Sequence, residues 1–221
     1  MSQRTALASL PTPRPPRYDT RHHDALVVMA RGLDVPGWVV ESCLRSGREV
    51  RIEPAAGAPE ERIRTLTALA GRSVLITGPP DEDRSGTPRV VAAVRDLPSD
   101  ARVLTEAAAA AVQLGAVVVP VHGVPLSFGE RSVGLAEALA RGHRVLDAAV
   151  ERLTAERGAA GLTILPRLLR VRPHELVGEE LDADLLVLGG PRPRIPARIG
   201  LVGGSAVQHA PCPVLLAARP A

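Results

Sequence analysis

The residues best suited to chemistry lie near the end of the chain, where Gly189, Gly190, Arg192, Gly200, Gly203, Gly204 and Ser205 follow one another within a single short stretch. Glycine lets a backbone N–H approach an anion closely because no Cβ stands in the way. A helix beginning after such a loop leaves its first N–H groups unpaired and pointing outward. Arg192, Arg194 and Arg198 add guanidinium groups that suit phosphate or carboxylate. The bland account of the same arginines is a solvated loop.

Other reactive side chains are scattered. His122 follows an apolar run and reads as a hydrogen-bonded loop histidine or as a residue facing a crevice. His22 and His23 have no helical spacing to a partner, and His209 with Cys212 has no third soft ligand nearby, so a metal site is not expected. Ser205 sits in Gly-Gly-Ser-Ala-Val, which departs from the nucleophile-elbow pattern, and no His/Asp pair can be assigned to it.

The elements that must position these groups are read from hydrophobic period and punctuation. Ala25–Met29, Arg48–Ile52 and Ser73–Thr77 read as strands, with helices over Val35–Leu44 and Pro59–Ala70 between them. Residues 79–88 are rich in Gly, Pro and charge and read as a linker. Beyond it come a strand over Val90–Val94, a helix capped by Ser99 or Asp100 and stopped at Gly115, and a strand over Ala116–Val121. Two continuous apolar strands joined by a helix imply a parallel sheet covered on both faces. A long amphipathic helix over Ser132–Arg157, a strand over Thr163–Arg170, a short helix over Pro173–Leu181 and a strand over Leu185–Leu188 follow. A last helix and a last strand, Val214–Ala217, complete the set. The stretches beginning Leu26-Val-Val and Val90-Val-Ala echo each other, as do Ser73-Val-Leu-Ile-Thr-Gly-Pro79 and Leu185-Leu-Val-Leu-Gly-Gly-Pro191. The echo suggests that residues 22–78 are a shrunken first copy of the larger unit at 89–221.

Composition narrows the function classes. The 221 residues are 45% hydrophobic and 23% charged, the balance of an ordinary globular core. One Trp, one Tyr and one Phe leave nothing from which to build base-stacking platforms. The net charge of +3 is accounted for by residues 1–21, where Arg4, Arg14, Arg17 and Arg21 outweigh Asp19. The remainder is neutral, which argues against a nucleic-acid-binding face. Four prolines in the same segment predict a disordered arm. Residues 107–129 carry no charge, yet Gly115, Pro120, Gly123 and Pro125 make them a buried helix and strand rather than a membrane span. Two cysteines without an apolar leader point to reduced thiols in a cytoplasm.

Residues 88–221 resemble the universal stress protein family. The closing segment Gly200-Leu-Val-Gly-Gly-Ser-Ala-Val-Gln-His209-Ala-Pro-Cys-Pro213 is similar to that family's last helix and its turn into the last strand, and Asp182-Ala-Asp-Leu-Leu-Val-Leu-Gly-Gly190 to its fourth strand and glycine loop. The resemblance implies an α/β fold, an open parallel sheet in strand order 3-2-1-4-5, preceded here by a smaller βαβαβ segment. It also implies a ligand crevice where the order reverses, at the ends of strands one and four. In nucleotide-binding members an Asp ends strand one, and three spaced glycines followed by a hydroxyl residue hold the phosphates.

This chain departs from that pattern. Val94 is followed by Arg95, with Asp96 one place late. One register puts Gly189 and Gly200 on the outer glycines, Arg192 on the middle one and Leu201 on the hydroxyl; the other uses Gly190 and Gly203, with Pro193 in the middle and Gly204 before Ser205. The resemblance therefore implies a universal stress protein with a degenerate nucleotide site and a binding or regulatory role, no cofactor being expected. The alternatives are an ATP-binding member, with Mg²⁺ and slow hydrolysis, and a scaffold for a regulatory protein partner. Val214–Ala217 at the sheet edge implies a homodimer, or an internal pseudo-dimer in which residues 25–77 cover that edge.

Overall fold

In the computed structural model the described residues are 25–30, 35–54, 59–77, 86–124, 134–156, 161–170, 182–193 and 198–219. The strands are β1 (Leu26–Ala30), β2 (Val50–Pro54), β3 (Ser73–Ile76), β4 (Arg89–Ala93), β5 (Val117–Gly123), β6 (Arg167–Leu169), β7 (Leu185–Gly189) and β8 (Val214–Ala217). The helices are α1 (Gly37–Ser46), α2 (Pro59–Ala68), α3 (Ala101–Leu114), α4 (Leu135–Ala155) and α5 (Leu201–His209). The arm at 1–21, most of the linker and the helix expected at 173–181 lie outside the described residues.

All eight strands join one sheet in the order β2-β1-β3-β8-β7-β4-β5-β6. Read from β6 to β8, its second half has the 3-2-1-4-5 order of an open doubly wound sheet. Every pairing is parallel except β3 with β8, where Val74, Leu75 and Ile76 oppose Leu216, Leu215 and Val214. Within each half the first strand is central: β1 lies between β2 and β3, as β4 lies between β5 and β7. The strands that echo each other in sequence, β1 with β4 and β3 with β7, thus hold corresponding places.

Val214–Ala217 closes the 3-2-1-4-5 order, and its outer side is covered by the first half of the chain, the second of the two arrangements expected for it. β8 is an interior strand with all four residues buried, because the apolar β3 supplies the ladder partners that an exposed edge would lack. The edges are instead β2, with alternating half-exposed residues, and the three-residue β6.

Continuous apolar strands call for cover on both faces, and the core divides accordingly. One face packs Val39 and Cys43 of α1, Val103, Leu104 and Ala107 of α3, and Ala149 and Leu153 of α4 onto Val28, Val90, Val187 and Leu215. The other packs Leu66 of α2 and Ala206 and Val207 of α5 onto Val27, Val74, Leu186 and Leu216. Each fully buried leucine of this set contributes roughly 1.5–3 kcal/mol. The alanine-rich helix α3 rests on the sheet between α1 and α4, so small side chains are needed nearly all round it. Gly115 ends it in the left-handed conformation, φ 61°, with its N–H on the Ala111 carbonyl.

Candidate functional site

In an open parallel sheet the ligand crevice lies beyond the carboxyl ends of the strands where chain order reverses. Here that point is between β4 and β7, which are paired directly, Val90 to Leu185 through Ala92 to Val187. The side chains expected to face it come from the β4–α3 connection, the end of β5 and the loop from β7 to α5.

Val94 is buried, and its carbonyl pairs with His122 Nδ1 at 2.9 Å. His122 lies within β5, not in a loop, and ties the end of that strand to the end of β4. Gly142 of α4 packs against this ring: a Cβ there would lie 3.1 Å from His122 Cδ2 and 2.5 Å from Leu168 Cδ1. Arg95 extends into solvent and Asp96 is partly exposed, joined to it at 3.2 Å. The Ser99 hydroxyl holds the Asp96 carboxyl below its ordinary value, with Arg95 and Arg219 acting in the same direction against partial burial.

The group that organises this connection is Asp100, 1% exposed. Its position just before α3 is a capping position, yet its side chain makes no cap bond to the helix. Oδ2 instead accepts the backbone N–H groups of Arg95 at 2.8 Å and Asp96 at 3.2 Å. Oδ1 accepts Arg219 Nη2 at 2.5 Å.

Arg219 follows β8 and reaches Asp100 by crossing the end of β7. A Cβ on Gly189 would fall inside its guanidinium, 2.5 Å from Cζ. Gly189 is paired with Ala217, so the arginine two residues beyond folds back over its own neighbour strand. The Arg219 side chain, 16% exposed, sets its guanidinium between the carboxyl end of β7 and the start of α3. The switch point is thus spanned by an internal ion pair.

The glycine loop meets different constraints. Gly190 donates its N–H to the Ala217 carbonyl at 2.8 Å, and a Cβ there would stand 2.9 Å from the same oxygen. Arg192 and Arg198, both exposed, form an isolated antiparallel bridge across residues 194–197, which lie outside the described residues. Gly200 directly precedes α5 in extended conformation, and Leu201 at the helix start is 85% exposed. Gly203 and Gly204 lie inside the helix, Gly203 against Ile199, and Gly204 donates to the Gly200 carbonyl at 2.8 Å. Ser205 is half-buried in the second turn, away from the helix start. The structure therefore brings Gly189 and the Asp96–Asp100 connection together through Arg219 and holds Gly190 on the Ala217 carbonyl, while Arg192, Gly200 and Leu201 face solvent around the start of α5.

Asp100 in this role, and Arg219 altogether, escape a reading of the sequence alone. The one legible signal is an arginine two residues past an apolar strand that ends beside a glycine loop. Among the described residues no group of three or more His, Cys, Asp or Glu is arranged to hold a metal ion, and no helix is long and apolar enough to cross a membrane.

Among solved structures the chain is similar to the universal stress protein from Archaeoglobus fulgidus, at 27% identity over 60% of this chain and 99% of that one, with a TM-score of 0.48. The same organism's protein in complex with dAMP matches at 29% identity over 60% and 98%, TM-score 0.45. A universal stress protein from A. fulgidus DSM 4304 matches at 16% identity over 88% of this chain and 84% of that one, TM-score 0.45. No curated protein matches. The sequence profile of the universal stress protein family matches residues 86–218, the unit from the entry to β4 through the end of β8, and the chain belongs to that family.

Proposed function

We propose that this member has a non-catalytic binding or regulatory role and that its nucleotide crevice is degenerate. The observation that carries the reading is the Arg219 guanidinium, which covers Gly189 and is paired with the buried Asp100 at the switch point. A nucleoside entering there must displace an ion pair that is itself largely removed from water. The residues around it point the same way. Arg95 stands where an acid would receive the nucleoside, and Arg192 and Leu201 stand where a glycine and a hydroxyl would receive phosphate. A missing contact to a desolvated partner costs about 1–3 kcal/mol, so two such losses weaken a micromolar site by roughly two to four powers of ten.

Titration of the protein with ATP and Mg²⁺ by calorimetry tests this. Binding weaker than about 100 μM is expected. A dissociation constant in the low micromolar range would sink the reading and favour an ATP-binding member with slow hydrolysis. In that event Arg192→Glu is expected to weaken binding sharply, marking the exposed arginines as the phosphate contact.

The assembly we favour is an internal pseudo-dimer: residues 25–77, as a shortened copy of the family unit, use β3 to cover the β8 edge. The setting we favour is a cytoplasm, on a sequence that carries only two cysteines. A partner-binding scaffold is the second reading, and Val40 and Leu44, exposed on α1, are the apolar groups that favour it.

A further inference from the structure

We propose that the switch-point crevice is a slot for a planar N–H-donor cation of the guanidinium class, and that Arg219 is its tethered occupant. Three observations define the slot. Its acceptor is Asp100 Oδ1, on a carboxylate 1% exposed whose other oxygen is already committed to the Arg95 and Asp96 N–H groups. Its floor is the backbone of Gly189, where the absent Cβ leaves room for a flat group and where any side chain would collide with the one present. Its surroundings leave the whole Arg219 side chain only 16% exposed.

The charge of the slot selects its ligand. A phosphate placed at the Arg219 position meets a buried carboxylate and is repelled, whereas a guanidinium matches that oxygen with a charge-assisted hydrogen bond. An alkylammonium carries the charge but not the flat face that Gly189 admits. Vacating the slot leaves the Asp100 carboxylate short of its cation in a site largely closed to water, so a free cation of the right shape binds there. In the intact chain Arg219 is attached two residues from β8 and competes at high effective concentration. This inference rests on the reading of the crevice as closed to nucleotide in the intact chain.

The test uses the full chain carrying Arg219→Ala, with Arg219→Gln as a second variant that keeps more of the side chain. Methylguanidinium is added at low millimolar concentration and thermal unfolding is followed. Both variants are expected to gain about 3 °C in Tm at ten times the dissociation constant, while the unsubstituted protein gains none. Methylammonium and urea at the same concentrations are expected to produce no gain. Adding Asp100→Asn to Arg219→Gln is expected to abolish the response. If neither variant responds, or if methylammonium does as well as methylguanidinium, the slot is overturned. Low-micromolar ATP binding to the unsubstituted protein would overturn the closed-crevice reading instead, so the two failures are told apart.

Discussion

Arg48 donates to Glu106 at 2.8 Å, joining the turn after α1 to the middle of α3 across 58 residues of chain. Both side chains are nearly withdrawn from water, 11% and 6% exposed. Glu106 also accepts the Ser73 hydroxyl at 2.7 Å and Arg102 Nε at 3.1 Å. Ser73 in turn accepts the Ala218 N–H at 3.1 Å. One carboxylate thus binds the first half of the chain, through β3 and the α1–β2 turn, to the helix and strand end of the second half. Removing it takes a buried acceptor from the Arg48 guanidinium and the Ser73 hydroxyl together, which costs far more than the loss of a surface pair. Glu106→Ala is expected to destabilise the protein by about 3 kcal/mol, measured by urea unfolding. A double-mutant cycle with Arg48→Ala is expected to show coupling above about 1 kcal/mol. Additive effects would mean that the two residues act independently.

The β3–β8 ladder makes a prediction about assembly. Strand pairing within one chain does not depend on concentration, whereas pairing between chains does. The amides of β8 that face β3 are therefore expected to stay protected from hydrogen exchange when the protein is diluted well below micromolar. Protection that disappears on dilution would show that the β8 edge is covered by a second molecule.

Much of this fold is legible in the sequence, for identifiable reasons. The β4-α3-β5 unit announces itself because two apolar runs bracket an alanine-rich helix with Gly115 at its end. β8 is legible as a strand that needs covering but not as the partner of β3 in particular, since a four-residue apolar run carries no record of which distant strand will pair with it. Glu106 reads as one more polar residue on a helix. Its burial follows only from α3 lying between its neighbours, a tertiary fact. The site divides in the same way. The glycines stand out by type, but Gly189 is explained by Arg219, which lies beyond the next helix and strand, and Gly190 by a backbone carbonyl of β8.

Asp96 predicts a weak acid sensitivity. Its carboxyl lies below the ordinary value of 3.8, chiefly because the Ser99 hydroxyl bonds to the ionised form. A lowered carboxyl stabilises the fold fully above the unfolded value, and the contribution is lost as pH falls through the folded one. The side chain is 41% exposed, so solvent screening keeps the effect below about 1 kcal/mol. Between pH 5 and pH 3 the protein is expected to lose slightly more stability than its Asp96→Asn variant. An equal slope in both, from urea unfolding across that range, would remove Asp96 from the account.

The glycines of the loop supply the last prediction, because two of them answer differently to the same substitution. At Gly190 an added Cβ stands 2.9 Å from the Ala217 carbonyl oxygen, which is held in the β7–β8 junction by the Gly190 N–H itself. Backbone of this kind moves only if the junction opens, so Gly190→Ala is expected to cost about 1–3 kcal/mol. At Gly200 nothing lies within 4 Å of the added atom, and the backbone, φ −71° and ψ 166°, is one that alanine adopts freely. There the same change restricts the unfolded chain and is expected to be neutral or to stabilise by up to about 1 kcal/mol. If Gly200 served a bound phosphate, its alanine variant would also lose ligand affinity. With the crevice closed by Arg219, no change in ATP response is expected from it. Urea unfolding of both variants, with an ATP titration of Gly200→Ala, separates a glycine that the ladder requires from one that only the family pattern marks; equal costs at the two positions would contradict the assignment.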